Sequence, residues 1–166
     1  MGVKLLKKEL LKSHIISILT IPINFIVIMP LIILAIEDNF SVINNTLLII
    51  IALLLIALGT VLLIMTINLY LNIGEGTFAP WDPNTELIQV GLYSYSRNPM
   101  ILSNLLTLVG LVILFESTYL LGYMGLFFIT NHIYFIFIEE PGLQSRFGKD
   151  YESYKNEVSR WFRMKK

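Results

Sequence analysis

The sequence predicts an all-α integral membrane protein with four transmembrane helices, a cytoplasmic loop and a C-terminal amphipathic helix. Of its 166 residues, 55% are hydrophobic and only 14% are charged, which is too little charge for the surface of a soluble domain of this size. All 12 lysines and arginines fall in the N-terminal tail, one long loop and the C-terminal tail. Only four spans with both termini in the cytoplasm place every one of these cations inside.

The four spans follow from four apolar runs within a single domain, residues 1–166, because roughly 20 apolar residues suffice to cross a bilayer. They cover residues 14–36, 47–71, 100–115 and 119–138. Pro22 and Pro30 are expected to kink the first span, which is tolerated when neighbouring helices satisfy the freed carbonyl groups. The second span is almost entirely leucine and isoleucine. Residues 72–99 form the candidate catalytic loop, since loops of this length in compact chains are often functional.

The third and fourth spans form an antiparallel hairpin, because only residues 116–118 separate them. The start of the third span and the end of the fourth therefore lie at the same membrane face, which places Arg97 beside Glu139 and Glu140. In the tail, residues 139–166, apolar side chains at helical spacing predict a helix that lies on the membrane or on the loop. They are Phe147, Tyr151, Tyr154, Val158 and Trp161.

The composition excludes several classes of function. The chain has no cysteine, which excludes disulfides, thiolate metal sites and cysteine nucleophiles. Its two histidines, His14 and His132, cannot form a histidine-rich cluster, and we expect no metal. The net charge is zero, so no overall field draws the chain to nucleic acid. The expected partners are membrane lipids and a lipophilic small molecule, and the expected location is a prokaryotic cell membrane that the chain crosses several times, with both termini cytoplasmic.

Two polar stretches at the ends of apolar runs form the candidate functional site. They are residues 91–100, with the sequence GLYSYSRNPM, and Glu139-Glu140-Pro141. Charge at membrane depth is costly and is retained mostly for function. The helix start after Pro99 can hold an anion, and the glutamates can hold an ammonium, a sulfonium or ribose hydroxyls, a combination that S-adenosylmethionine presents. A solvated helix end is the alternative for the glutamates, although two acids at a helix C-terminus oppose the macrodipole.

From Gly74 onward the chain carries three motifs in order: G-x-Y-x-x-x-R-[HN]-P-M, then E-E, then F-G-x-x-Y-x-x-Y. In combination they resemble the isoprenylcysteine carboxyl methyltransferase and phospholipid methyltransferase superfamily, whose members are membrane enzymes that use S-adenosylmethionine. The resemblance implies a set of cofactor-binding residues in the loop, at the start of the third span and at the end of the fourth. They are Gly74, Gly76, Leu87, Ile88, Tyr93, Asn98, Pro99, Met100, Ile101 and Glu139.

Three positions depart from the pattern of this superfamily. Asn98 stands where histidine is usual, and asparagine cannot take up a proton near neutral pH. Ile101 stands where a tyrosine is common. Phe135 occupies the position of an arginine in the carboxyl-methylating branch, so we expect it to form an apolar wall for an acyl or isoprenoid chain whose reacting head is neutral or an amine. His132, on the same helical face as Glu139, is the other candidate for substrate binding.

The predicted function is therefore in-line methyl transfer from S-adenosylmethionine to a lipophilic acceptor. Arg97, Glu140 and Tyr93 are the candidate catalytic residues, and Glu140 or Tyr93 would deprotonate an amine acceptor. Two alternatives stay open. One is an NADPH-dependent membrane reductase of the sterol reductase type, although the chain lacks an obvious basic cluster for the 2′-phosphate. The other is a non-enzymatic membrane binding or transport protein.

Overall fold

Every regular element in the described part of the chain is a helix. The computed structural model describes residues 19–38, 40–73 and 86–161, and no strand occurs among them. The helices are α1, which is π-helical over Leu19–Ile28 and α-helical over Met29–Glu37, α2 (Thr46–Ile73), a 3-10 turn (Gly91–Ser94), α3 (Pro99–Phe115), α4 (Thr118–Phe147) and α5 (Lys149–Glu157). The predicted glycine pair, Gly74 and Gly76, lies outside the described residues.

Two of these helices, α2 and α4, are long and apolar enough to cross a membrane by length and composition. The apolar part of α1, Ile23–Glu37, and helix α3 are shorter than the roughly 20 residues that a span usually needs. Large apolar side chains such as Leu54 and Leu126 are exposed along α2 and α4, and extended apolar faces of this kind suit lipid better than water. The four-span arrangement stays a prediction.

Helix α4 does not end at Ile138, as the sequence analysis expected, but continues to Phe147. Residues Phe135–Glu139 form a π-helical turn, in which the N–H of Glu140 donates to the carbonyl of Phe135. Pro141 lacks an N–H and its ring clashes with the carbonyl four residues earlier in a regular α-helix. The π turn shifts the hydrogen-bond register just before the proline, so the helix absorbs the break. The glutamates thus lie within a helix rather than at its C-terminus.

Helices α2 and α3 pack closely because glycines lie at their crossing. A Cβ atom on Gly59 of α2 would lie 2.7 Å from the backbone nitrogen of Thr107 and 2.8 Å from the carbonyl oxygen of Ser103 on α3. On α3, a Cβ atom at Gly110 would lie 2.7 Å from the carbonyl oxygen of Ala52. The hydroxyls of Ser103 and Thr107 are buried here, and each donates to a carbonyl within its own helix. Small residues therefore permit backbone contact without leaving these polar groups unsatisfied.

The tip of the α3–α4 hairpin lies at the opposite end from the polar stretches. Glu116 adopts a left-handed conformation that ends α3, and the hydroxyl of Ser117 caps α4 by accepting a hydrogen bond from the N–H of Leu120 at 3.0 Å. The same hydroxyl donates to the carboxylate of Glu37 at the end of α1. These contacts fix the short antiparallel hairpin that the sequence predicts, and they anchor it to α1.

We predict that Gly59→Ala and Gly110→Ala destabilise the protein, whereas Gly122→Ala does not. An added methyl at Gly59 or Gly110 meets backbone atoms that move only if a whole helix moves. Overpacking of this kind costs about 1–3 kcal/mol, which exceeds the roughly 1 kcal/mol that alanine gains over glycine in a helix. Gly122 on α4 has no atom within 4 Å of its Cβ position. Thermal unfolding in detergent, followed by circular dichroism, measures the difference, and equal Tm values for the three variants would contradict the packing described above.

Candidate active site

The segment that connects the 3-10 turn to α3 presents the site residues. Gly91 begins the turn with a φ of 61°, a left-handed conformation that favours glycine. Ser96 holds the segment from both sides, because its hydroxyl accepts from the N–H of Asn98 at 3.0 Å and donates to the carbonyl of Arg160 at 3.1 Å. Helix α3 then starts at Pro99, a residue suited to the first turn of a helix.

Arg97 is the most highly connected side chain of this segment. Its Nη1 donates to Glu140 Oε1 at 2.8 Å and to the hydroxyl oxygen of Tyr151 at 2.9 Å. Its Nε donates to the carbonyl of Val158 at 2.9 Å, and its backbone N–H donates to the carbonyl of Ser159 at 3.1 Å. The predicted placement of Arg97 beside the glutamate pair is therefore confirmed, and the actual partner is Glu140.

Glu140 is an anion surrounded by three cations. Besides Arg97, Arg160 donates from Nε to Oε1 at 2.9 Å, and the Lys155 ammonium lies 3.5 Å from Oε2. The side chains of Arg97 and Glu140 are only 6% and 8% exposed. Breaking such a buried pair leaves an uncompensated charge. These contacts make Glu140 a structural anchor that ties α4 to the loop and the tail.

Phe135 does not line a substrate cavity, contrary to the expectation from the sequence. Its ring is 1% exposed, and the guanidinium carbons of Arg97 and Arg160 each lie 5.9 Å from its centroid. The electron-rich face of an aromatic ring attracts such cations. Phe135 therefore packs beneath the charge cluster, which consists of Arg97, Glu140, Lys155 and Arg160.

Helix α5 and the residues after it pack against the same segment. Tyr154 donates its hydroxyl to the carbonyl of Tyr93 at 2.6 Å, and Tyr151, Tyr154 and Val158 form a buried cluster. Burial raises the pKa of the Tyr151 and Tyr154 phenols above their ordinary value, so both stay neutral. The exposed residues of α5 include Glu152 and Lys155.

A small polar cavity of about 80 Å³ lies on one side of the segment. It brings together Leu87, Ile88, Tyr93 and Glu139, which the sequence analysis assigned to cofactor binding. The rest of its lining is Tyr70, Glu86, Arg97, Leu143, Arg146, Phe147 and Tyr154.

Two features of this polar cavity matter for ligand binding. Glu139 is exposed, unlike Glu140, and it makes no short ion pair or hydrogen bond with any other residue that the structure describes. Loss of hydration, followed in size by the nearby Glu139 carboxylate, raises the pKa of the Tyr93 phenol well above its ordinary value. Tyr93 is therefore a hydrogen-bond donor rather than a base.

A larger apolar cavity of about 580 Å³ lies on the other side of the segment. Its lining contains no ionisable group other than the phenol of Tyr95. The lining residues are Leu62, Leu92, Tyr95, Ser96, Pro99, Leu102, Ser103, Leu105, Leu106, Phe128 and Trp161. The volume falls within the range of about 300–1,000 Å³ that is usual for small-molecule pockets.

Residues 92–99 are thus a wall that the two cavities share. Leu92, Tyr95, Ser96 and Pro99 line the apolar cavity, whereas Tyr93 and Arg97 line the polar one. Pro99, also predicted to bind the cofactor, thus lines the apolar cavity rather than the polar one. Of the other predicted cofactor residues that the structure describes, Asn98 is buried within the wall, and Met100 and Ile101, half-buried on the first turn of α3, line neither cavity.

His132 lies behind the apolar cavity rather than in it. Its ring stacks on Phe128 and Trp161 at centroid distances of 5.7 and 5.6 Å, and both of these residues line the cavity. Its Nδ1 is buried and has no hydrogen-bond partner among the described residues. A substrate role for His132 would therefore act through its two aromatic neighbours.

Sequence reasoning identified the loop and the glutamates but missed the contribution of the tail. Arg160 carries no motif, and Tyr151, Tyr154 and Trp161 were expected only on the apolar side of a helix that lies on the membrane or on the loop. One signal was available: a buried guanidinium must find several acceptors, and the tail is the one polar segment that the hairpin leaves near Arg97.

The fold and the paired cavities define a helical membrane protein with a charged pocket beside an apolar one. The chain belongs to the phospholipid methyltransferase family, whose pattern matches residues 47–150. No curated protein and no solved structure matches it. Membership confirms the resemblance found in the sequence and implies methyltransferase activity. Among the described residues, no group of three or more histidine or acidic side chains is arranged to hold a metal ion.

Glu140→Gln is predicted to lower stability strongly. Glutamine keeps the size of the side chain but removes the charge that Arg97, Arg160 and Lys155 surround. Breaking a buried pair typically costs about 3–5 kcal/mol. The matched control is Glu139→Gln, one residue earlier on the same helix, which breaks no ion pair and should leave the Tm in detergent unchanged. Equal Tm losses for the two variants would contradict the structural role assigned to Glu140.

Proposed function

We propose that the protein is an S-adenosylmethionine-dependent methyltransferase that acts on a lipophilic acceptor. The observation that carries the proposal is the shared wall, residues 92–99, which separates a charged cavity from an apolar one. A methyl donor and a membrane-derived acceptor differ in polarity in the same way. Placing both against one wall brings two reactants into fixed proximity, and such positioning can supply much of the rate of a methyl transfer.

The lining of the polar cavity suits a zwitterionic donor. Two carboxylates, Glu86 and Glu139, and the guanidinium of Arg146 line it, so an ammonium and a carboxylate can each find an opposite charge. When bound, S-adenosylmethionine supplies an electrophilic methyl group on a sulfonium. We assign Glu139 to the ammonium or the ribose hydroxyls and Tyr93 to hydrogen-bond donation.

The apolar cavity suits an acyl or isoprenoid chain with a neutral or amine head. None of its lining residues is a cation, and the nearby guanidiniums of Arg97 and Arg160 are already bonded to Glu140. A carboxylate head would therefore lack the bidentate partner that normally binds it. This agrees with the sequence-based expectation for an amine or neutral acceptor, although the reason is the committed arginines rather than a wall at Phe135.

The residues of the charge cluster act by positioning in this proposal. Glu140 faces three cations and Tyr93 stays a neutral phenol, so both are weak bases, and the catalytic role that the sequence suggested for them becomes one of holding the wall. An amine that enters an apolar cavity loses hydration, which favours its neutral form. The acceptor can thus arrive ready to attack without a dedicated base.

We also propose four spans with both termini in the cytoplasm. Helices α1 and α3 are apolar, and the lysines and arginines fall in the N-terminal tail, the loop of residues 72–99 and the C-terminal tail. Reporter fusions test this arrangement. A fusion after Lys166 is expected to report the cytoplasm, and one between residues 40 and 45 the opposite side. The same side for both fusions would overturn the four-span topology.

Glu139→Gln is expected to weaken S-adenosylhomocysteine binding while the fold stays intact. Losing one charge-assisted hydrogen bond costs roughly 1.5–3 kcal/mol, or about ten- to a hundredfold in affinity. Isothermal titration of the purified protein measures the change. Glu152→Gln, on the exposed side of α5, serves as the control and should bind as the wild type does. Unchanged binding in Glu139→Gln would move Glu139 out of the site, and binding of NADPH instead would favour a reductase.

A further inference from the structure

We propose that Trp161 determines which acceptor chain lengths the enzyme accepts, an inference that rests on the function proposed above. Trp161 lines the apolar cavity together with Phe128, and the two ring centroids lie 5.2 Å apart. His132 stacks behind both rings. Phe128 and Trp161 thus form an aromatic wall of the cavity, and His132 supports it from behind.

The position of Trp161 is fixed by backbone contacts rather than by its own side chain alone. The three preceding residues are each bonded to the shared wall through a carbonyl: Val158 and Ser159 accept from Arg97, and Arg160 accepts from Ser96. Residue 161 therefore has little freedom to move away when a chain fills the cavity. An immobile indole, which covers roughly 150–250 Å², sets a limit to the length of chain that fits.

Trp161 also lies outside the segment that defines the family, residues 47–150. The shared wall, the glutamates and most of the apolar lining fall within that segment. Trp161 is therefore contributed by a part of the chain outside this match, whereas Phe128 and His132 lie within it. We infer that methyl transfer depends on the common segment, whereas the choice of acceptor chain depends on this tail.

The test compares methyl transfer from S-adenosylmethionine to n-octylamine, n-dodecylamine and n-hexadecylamine in detergent. Trp161→Ala should raise the ratio of kcat/KM for the longest amine over the shortest by about tenfold, the scale on which apolar pockets discriminate chain length. Trp161→Phe should restore most of the wild-type ratio. Phe137→Ala, on a side chain of α4 that is 71% exposed, is the control and should leave the ratio unchanged. A general loss of activity or of folded protein lowers kcat/KM for all three amines equally, so it does not change the chain-length ratio.

A binding measurement checks the same contact without turnover. The chain has two tryptophans, so Trp81→Phe leaves Trp161 as the only indole fluorophore. Addition of 12-bromododecylamine should quench its fluorescence in a saturable manner, and unbrominated dodecylamine should reverse the quenching. Quenching that never saturates would mean contact with detergent or bulk lipid only, and it would overturn the proposal.

The outcomes separate this inference from the proposed function. If the wild type methylates the amines but Trp161→Ala leaves the chain-length ratio unchanged, the inference is wrong and the methyltransferase stands. If the wild type methylates none of them, the proposed amine acceptor is wrong. In that case saturable quenching supports a contact between the chain and Trp161, and the absence of saturable quenching overturns that contact. If Trp161→Ala fails to fold, the ratio in Trp161→Phe and the quenching experiment decide.

Discussion

The buried ion pair between Arg97 and Glu140 is the contact on which the rest of the site depends. Each partner alone would be a costly charge in a poorly hydrated place, and here each makes further hydrogen bonds or ion pairs. Through Arg97 the pair holds the carbonyls of Val158 and Ser159, and through Glu140 it holds Arg160. One interaction thus joins the loop before α3, the last part of α4 and the C-terminal tail. The two cavities exist because these three segments are held together.

The two adjacent glutamates of α4, which lie at the π turn, have different surroundings. Neighbouring residues on a helix point in directions roughly 100° apart, so Glu139 and Glu140 cannot share one environment. Glu140 points inward and neutralises the cations, which satisfies the electrostatic need of the fold. Glu139 is left exposed at the polar cavity. The π turn, Phe135–Glu139, includes the first of these glutamates and precedes Pro141.

The sequence was sufficient for features that depend on local pattern. Apolar run lengths located the helices, and the brevity of residues 116–118 was enough to bring Arg97 to the glutamates. Features that depend on long-range partners could not be predicted. Arg97 pairs with Glu140 rather than with Glu139 because of the π turn, and no periodicity in the sequence indicates that turn. Phe135 was misassigned for a related reason. A phenylalanine in an apolar run gives no sign that two guanidiniums will cover its face, and that contact takes it out of any cavity.

The shared wall couples the two cavities physically. Tyr93 faces the polar side, Tyr95 and Ser96 face the apolar side, and only a few bonds of backbone separate them. The hydroxyl of Tyr154 binds this backbone, and the side chain of Arg97 ties it to the carbonyl of Val158, so the wall is held from the side of the polar cavity. A ligand on one side therefore meets a surface whose shape is already set, and little conformational entropy remains to be lost when the second ligand binds. Preorganisation of this kind is what a reaction that relies on alignment requires, and in this chain it comes from a charge cluster that need not touch either reactant.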